Sequence, residues 1–147
     1  MAKFSTTITT PWSAERAFAF MSDVRNFSSW DPGVSSSEQV RGDGPGLDSA
    51  YDLAVKSGPR TTTMRYEVVE WDAPKRLLLV AKTSLLESVD EIRVESAAGG
   101  ARVTYDAELT MSGLLRMADP LLGLAFQRIG ARADAGLRRA LEAEPAT

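Results

Sequence analysis

Apolar and polar residues alternate over most of the first 111 positions, in short stretches separated by turn residues. Within 60–71, for example, Met64, Tyr66 and Val68 share one parity, whereas Arg65 and Glu67 take the other. Such alternation is typical of strands that are covered on one face and solvated on the other. Because the turns follow one another closely, an antiparallel sheet is favoured over a parallel one. The pattern predicts strands at residues 3–10, 34–41, 49–56, 60–71, 76–82, 85–95 and 102–111.

Two short helices are predicted between the first two strands. Residues 14–21 have apolar positions at helical spacing, and Ser13 precedes them as a typical N-cap. A second and shorter helix, capped by Asp23 or Asn26, is predicted to end at Trp30, because an Asp-Pro-Gly turn follows.

A long helix is predicted at residues 113–142, with Pro120 either kinking it or marking the start of its regular part. Asp134 and Arg138 are expected on its solvent side. Residues 143–147 are expected to form a flexible tail. The apolar stripe of this helix consists of Leu114, Ala118, Leu121, Leu122, Ala125, Ile129, Ala133, Leu137 and Leu141.

Composition narrows the possible chemistry. The chain has 147 residues, which fits one domain (1–147), and 44% of them are apolar. It contains no Cys and no His, which excludes thiolate nucleophiles, His-containing triads and His or Cys metal sites, so neither a cofactor nor a metal is predicted. A net charge of −3 argues against nucleic-acid binding. Without an apolar run long enough to span a bilayer, we expect a cytoplasmic protein with no stable membrane insertion.

Four motifs in order resemble those of the START-like (SRPBCC) superfamily, which includes polyketide cyclases/dehydrases, the birch pollen allergen and lipid-transfer domains. Residues 8–18 are similar to its I-x-A-P-x-x-x-V-F opening, and residues 21–32 look like its D-x-x-x-x-x-x-W segment. Residues 66–77 resemble its V-x-x-x-x-P-x-R-L hairpin, and 100–105 resemble G-T-x-V-T-Y with Ala101 in place of Thr. The resemblance implies an α+β helix-grip fold: a curved antiparallel sheet of about seven strands wrapped around a long C-terminal helix.

In this superfamily the space between sheet and helix is a cavity for an apolar or amphipathic molecule. Alternation predicts which side chains would line it, although the same residues would equally fill a solid core. The helix would contribute Met117, Leu121, Leu122, Ala125 and Ile129. The sheet would contribute Tyr51, Leu53, Val55, Met64, Tyr66, Val68, Tyr105, Ala107 and Leu109.

Asp90 is the polar residue that the pattern singles out. It shares the parity of Ile92 and Val94, which predicts an inward-facing carboxylate with a raised pKa or a hydrogen-bonded partner. Asp90, Tyr66 and Tyr105 are therefore the candidate acid/base or ligand-anchoring groups. The alternatives are a bulge that turns Asp90 outward, or a purely structural hydrogen bond to a tyrosine. Arg128 and Arg132 either meet a ligand carboxylate or lie on a solvated helix face.

Three functions remain open at this stage. The first is binding of a small hydrophobic ligand, either lipid-like or aromatic and polyketide-like. The second is a cyclase/dehydrase-type enzyme that runs on carboxylate and tyrosine groups, and the third is a protein-partner module of a chaperone or quinone system. The sequence does not distinguish a monomer from a homodimer.

Overall fold

The computed structural model describes residues 2–57, 59–111 and 119–142, with side chains described throughout except at 57 and 119–123. Two short helices, α1 (Ala14–Ser22) and α2 (Phe27–Trp30), lie between the first two strands, and the long helix α3 (Asp119–Glu142) follows the last strand. The strands are β1 (Ala2–Thr10), β2 (Val34–Arg41), β3 (Ala50–Ser57), β4 (Arg60–Asp72), β5 (Arg76–Lys82), β6 (Leu86–Ala97) and β7 (Gly100–Met111).

All seven strands form one antiparallel sheet in the order β1-β7-β6-β5-β4-β3-β2. Strands β2 to β7 are thus a meander of hairpins, and β1 joins its far end. Together with the long C-terminal helix, this arrangement confirms the helix-grip fold. The predicted tail at 143–147 and the predicted first turns of the long helix lie outside the described residues.

Polar side chains cap helix α1 and the 3-10 turn that follows it, as the sequence predicts. The Ser13 hydroxyl accepts from the backbone N–H of Arg16 at 3.2 Å. Asp23 caps a single 3-10 turn (Val24–Asn26) by accepting from the N–H of Arg25 at 3.1 Å, whereas Asn26 makes no capping bond to α2. Asp23 is therefore the cap of this segment.

Helix α3 runs alongside β1 in the same direction. Gln127 donates to the carbonyl of Lys3, and the Thr10 hydroxyl donates to the carbonyl of Leu141, each at 2.5 Å. The intervening helix is about 21 Å long at its usual rise, close to the roughly 23 Å of the strand. These two bonds fix α3 along β1, an edge strand of the sheet.

The position of α3 corrects two predictions about its faces. Asp134 is not on the solvent side: its side chain is 23% exposed and accepts a hydrogen bond from Thr6. Ala125 and Ile129 are exposed, Ile129 by 49%, so the prediction that they face the sheet is wrong. Steps of four residues advance about 40° beyond a full turn, so a long i+4 stripe rotates around the helix. The buried end of the stripe is Leu137 and Leu141.

The core lies between the concave face of the sheet and the helices. Helix α3 approaches α2 so closely that a Cβ on Gly136 would lie 1.9 Å from the Trp30 carbonyl oxygen. No helix in the described ranges is long and apolar enough to cross a membrane. The largest fully buried side chains include Ile8, Tyr51, Leu53, Val68, Leu77, Leu79, Ile92 and Leu137.

Candidate functional site

A carboxylate lies in the middle of the concave face. Asp90 is 5% exposed and pairs with Leu79 of β5 and Ala107 of β7 in an unbroken register. Its inward orientation therefore agrees with the parity of β6, and the alternative of an outward-turning bulge is wrong.

Two hydroxyl groups hold this carboxylate. The Tyr105 hydroxyl donates to Asp90 Oδ2, and the Ser88 hydroxyl donates to Oδ1 at 3.1 Å. Burial raises the pKa of Asp90 to about 6, although the bonds from Tyr105 and Ser88 lower it and nearby Asp31 raises it. Burial also raises the pKa of Asp31, which accepts from the N–H of Gly33 at 2.8 Å. The concave face thus holds a carboxylate whose pKa is raised towards neutral pH.

The three tyrosines have different environments. The pKa of Tyr105 and that of Tyr66 lie well above the usual value of a tyrosine. Burial is the largest cause of both shifts, and the charge of Asp90 is the second. Burial likewise raises the pKa of Tyr51, which is fully buried. The neighbouring Ser49 side chain lowers the pKa of Tyr51 in part. It does not form a hydrogen bond with the Tyr51 hydroxyl, however, and neither does any other described residue. Tyr105 is therefore the tyrosine bonded to the carboxylate, and Tyr51 is a donor with no acceptor in the described part of the chain.

An aromatic cluster from α2 adjoins Tyr105. The ring centroid of Trp30 lies 5.9 Å from that of Tyr105 in an edge-to-face arrangement, and Phe27 lies 5.0 Å from Trp30. The indole N–H of Trp30 is buried and has no acceptor within the described part of the chain. This cluster, together with Asp31 and Ser88, was not among the predicted site residues. Only Ser88 carried a usable signal, since it has the parity of Asp90 two residues away.

The sheet side chains that were predicted to line the cavity lie on one face of the sheet. Tyr51, Leu53, Met64, Tyr66 and Val68 are buried. Val55, Tyr105, Ala107 and Leu109 face the same side but are half-buried, so part of the concave face stays accessible. Of the helix residues predicted to line it, Ala125 and Ile129 face solvent, Met117 lies outside the described residues, and the side chains of Leu121 and Leu122 are not described.

Other features of the described residues lie away from this face. A surface cleft of about 580 Å³ is lined by Glu15, Lys75 and Arg93 among others, and does not include Asp90. Arg128 and Arg132 are exposed on α3, which agrees with the predicted alternative that they lie on a solvated helix face. In the described ranges no cluster of three acidic side chains could hold a metal ion.

A curved antiparallel sheet, a long C-terminal helix along its edge and a polar centre in its concave face define a helix-grip domain. Residues 1–142 match the family described as polyketide cyclase / dehydrase and lipid transport, and the chain belongs to this family. The resemblance to the START-like superfamily is thereby confirmed. A search of the curated proteins finds no match to this sequence.

Solved structures with the same fold share little sequence with it. A START superfamily protein from Mycobacterium smegmatis superposes with a TM-score of 0.78 at 12% identity, covering 96% of this chain and 97% of that chain. A protein from Thermus thermophilus gives 0.76 at 15% identity and covers 95% of both chains. The di-domain ARO/CYC BexL from the BE-7585A biosynthetic pathway gives 0.72 at 15% identity, covering 97% of this chain and 50% of that chain. At such identities the likeness shows the fold.

Proposed function

We propose that the protein binds a small hydrophobic or amphipathic molecule against the concave face of the sheet, with Asp90 and Tyr105 at its polar end. The observation that carries this proposal is a buried, hydroxyl-bonded carboxylate in an apolar surface that is partly accessible. A mostly apolar surface with a few convergent polar groups is what small-ligand sites share. Membership of a family described by lipid transport and polyketide cyclisation supports it.

Native mass spectrometry followed by denaturing extraction tests this proposal. The purified protein should carry an apolar compound or take one up. Ala107→Trp should abolish uptake, because Ala107 lies opposite Asp90 on the concave face and the indole would fill the space. Ala54→Trp is the matched control, since Ala54 has the opposite parity to the inward Leu53 and should leave uptake unchanged. Equal uptake by both variants would place the ligand elsewhere.

A second candidate function is cyclase/dehydrase-type catalysis. The observation that favours it is the pKa of Asp90, which burial raises to about 6, close to what a general base at neutral pH needs. Proton transfer at Asp90 would then assist aldol closure and water loss in a poly-β-keto chain, and the Tyr105 hydroxyl would orient the carboxylate.

Asp90→Asn separates the two candidate functions. If the protein is an enzyme, this variant should still bind a poly-β-keto substrate but lose about 10²- to 10⁴-fold in turnover, the usual contribution of a general base. The readout is single-turnover product formation beside a binding titration. Turnover that survives in the variant would rule out Asp90 as the base, and absence of turnover by the unchanged protein would leave the binding function.

A further inference from the structure

Among the described residues, the charges at the centre of the concave surface are both acidic. Asp90 is buried there, and half-buried Asp31 raises its pKa from nearby. Every lysine and arginine within the described ranges is exposed except Arg76, which is half-buried. Arg76 has the opposite parity to the buried Leu77, and it pairs with Glu70 and Glu91. At the centre of this face a ligand carboxylate would therefore meet a like charge in a poorly solvated place, with no counter-ion among the described residues around Asp90.

Two hydrogen-bond donors that border this surface have no acceptor among the described residues. Trp30 is 5% exposed and its indole nitrogen can only donate, and Tyr51 is fully buried with an unbonded hydroxyl. Trp30 packs on Tyr105, the residue that donates to Asp90, and Tyr51 lies opposite Tyr66 on the inner face. A buried donor without a partner destabilises the folded protein, so buried polar groups usually have one. An acceptor oxygen of a ligand would supply one.

Resting on the proposed binding function, we infer that the site takes uncharged ligands carrying a hydrogen-bond acceptor, such as a ketone oxygen, and rejects carboxylates of the same shape. Asp90 excludes the anion, and the N–H of Trp30 or the O–H of Tyr51 receives the neutral oxygen. The hydrocarbon part of the ligand lies on the apolar side chains around them, including Leu53 and Val68.

Three naphthalenes of nearly equal size test this inference on the full chain by calorimetric titration: acetylnaphthalene, ethylnaphthalene and naphthoate. At about pH 8, where naphthoate is ionised, it should bind at least about tenfold more weakly than acetylnaphthalene. Ethylnaphthalene, which lacks the acceptor, should bind several-fold more weakly than acetylnaphthalene. Asp90→Asn should narrow the gap for naphthoate, and Asp106→Asn, which removes a carboxylate ion-paired with Arg93, should not.

Each result decides a separate claim. Equal affinity for naphthoate and acetylnaphthalene overturns charge exclusion, and equal affinity for acetylnaphthalene and ethylnaphthalene overturns the acceptor requirement. Tyr51→Phe and Trp30→Phe locate the donor, and a preference for the acetyl group that survives when both residues are replaced also overturns that requirement. Failure of all three probes to bind, in a protein that also yields no extracted compound, removes the proposed function and this inference with it.

Discussion

Asp90→Asn should make the protein more stable than the unchanged chain at neutral pH, and the gain should appear only as pH rises. Burial raises the folded-state pKa of Asp90 from an ordinary 3.8 to about 6. Between these values the folded state keeps a proton that the unfolded state has released, so the free energy of unfolding falls as pH increases. A shift of this size corresponds to about 3 kcal/mol, lost in full once the pH exceeds the folded pKa. Asparagine has no such charge to bury.

Urea unfolding of both proteins between about pH 4 and pH 7.5 measures this effect. The difference in free energy of unfolding should grow by up to about 3 kcal/mol in favour of Asp90→Asn. Asp52→Asn is the matched control, because the bond from Arg65 lowers the pKa of Asp52 and its loss brings no gain at neutral pH. A difference for Asp90→Asn that stays flat with pH would mean that Asp90 is hydrated and ionises as it does in solvent.

Tyr105→Phe and Tyr51→Phe should have opposite effects, although each removes one hydroxyl group. The Tyr105 hydroxyl donates to the buried carboxylate of Asp90, and hydrogen bonds to charged groups contribute about 1.5–3 kcal/mol. Tyr105→Phe should therefore lose about that much stability at neutral pH, and less at about pH 4.5, where Asp90 is protonated. Tyr51→Phe removes a buried hydroxyl for which the described ranges offer no acceptor, so the stability of this variant should be unchanged or up to about 1 kcal/mol higher.

The same unfolding titrations, run at the two pH values, check this pair of variants. Tyr66→Phe gives a useful third point, because Tyr66 lies near enough to Asp90 to feel its charge but does not donate to it in the structure. Equal losses for Tyr105→Phe and Tyr51→Phe would contradict the assignment of the bonded and the unbonded tyrosine.

Local alternation was sufficient to predict the sheet and the orientation of Asp90. The register of β5, β6 and β7 around Asp90 has no bulge, so the period of two holds from Leu86 to Val94 and its parity carries directly into three dimensions. In β4 the register shifts between Val68 and Glu70, and there parity alone would misplace the residues that follow.

The polar partners of Asp90 depend on contacts that parity does not encode. Tyr105 reaches Asp90 diagonally across β6 and β7, because its direct neighbour in the ladder is Ile92. Trp30 and Asp31 reach the site only through the placement of α2. The buried face of α3 was mispredicted because an i+4 stripe drifts around a long helix. Tertiary contacts, such as the close approach of Gly130 to Phe4 and of Gly136 to Trp30, set which part of the stripe is buried.

Carbon-13 NMR of the aspartate carboxyl groups, recorded with and without the extracted or added ligand, shows directly whether the ligand binds beside Asp90. The ligand should shift the Asp90 resonance and its titration midpoint, because the bound molecule excludes water from a carboxylate held by Tyr105 and Ser88. The resonance of Asp106, which is ion-paired with Arg93 and has the opposite parity to Tyr105, should not move. A saturating ligand that leaves the Asp90 resonance unchanged would contradict the assignment of the concave face as the binding site.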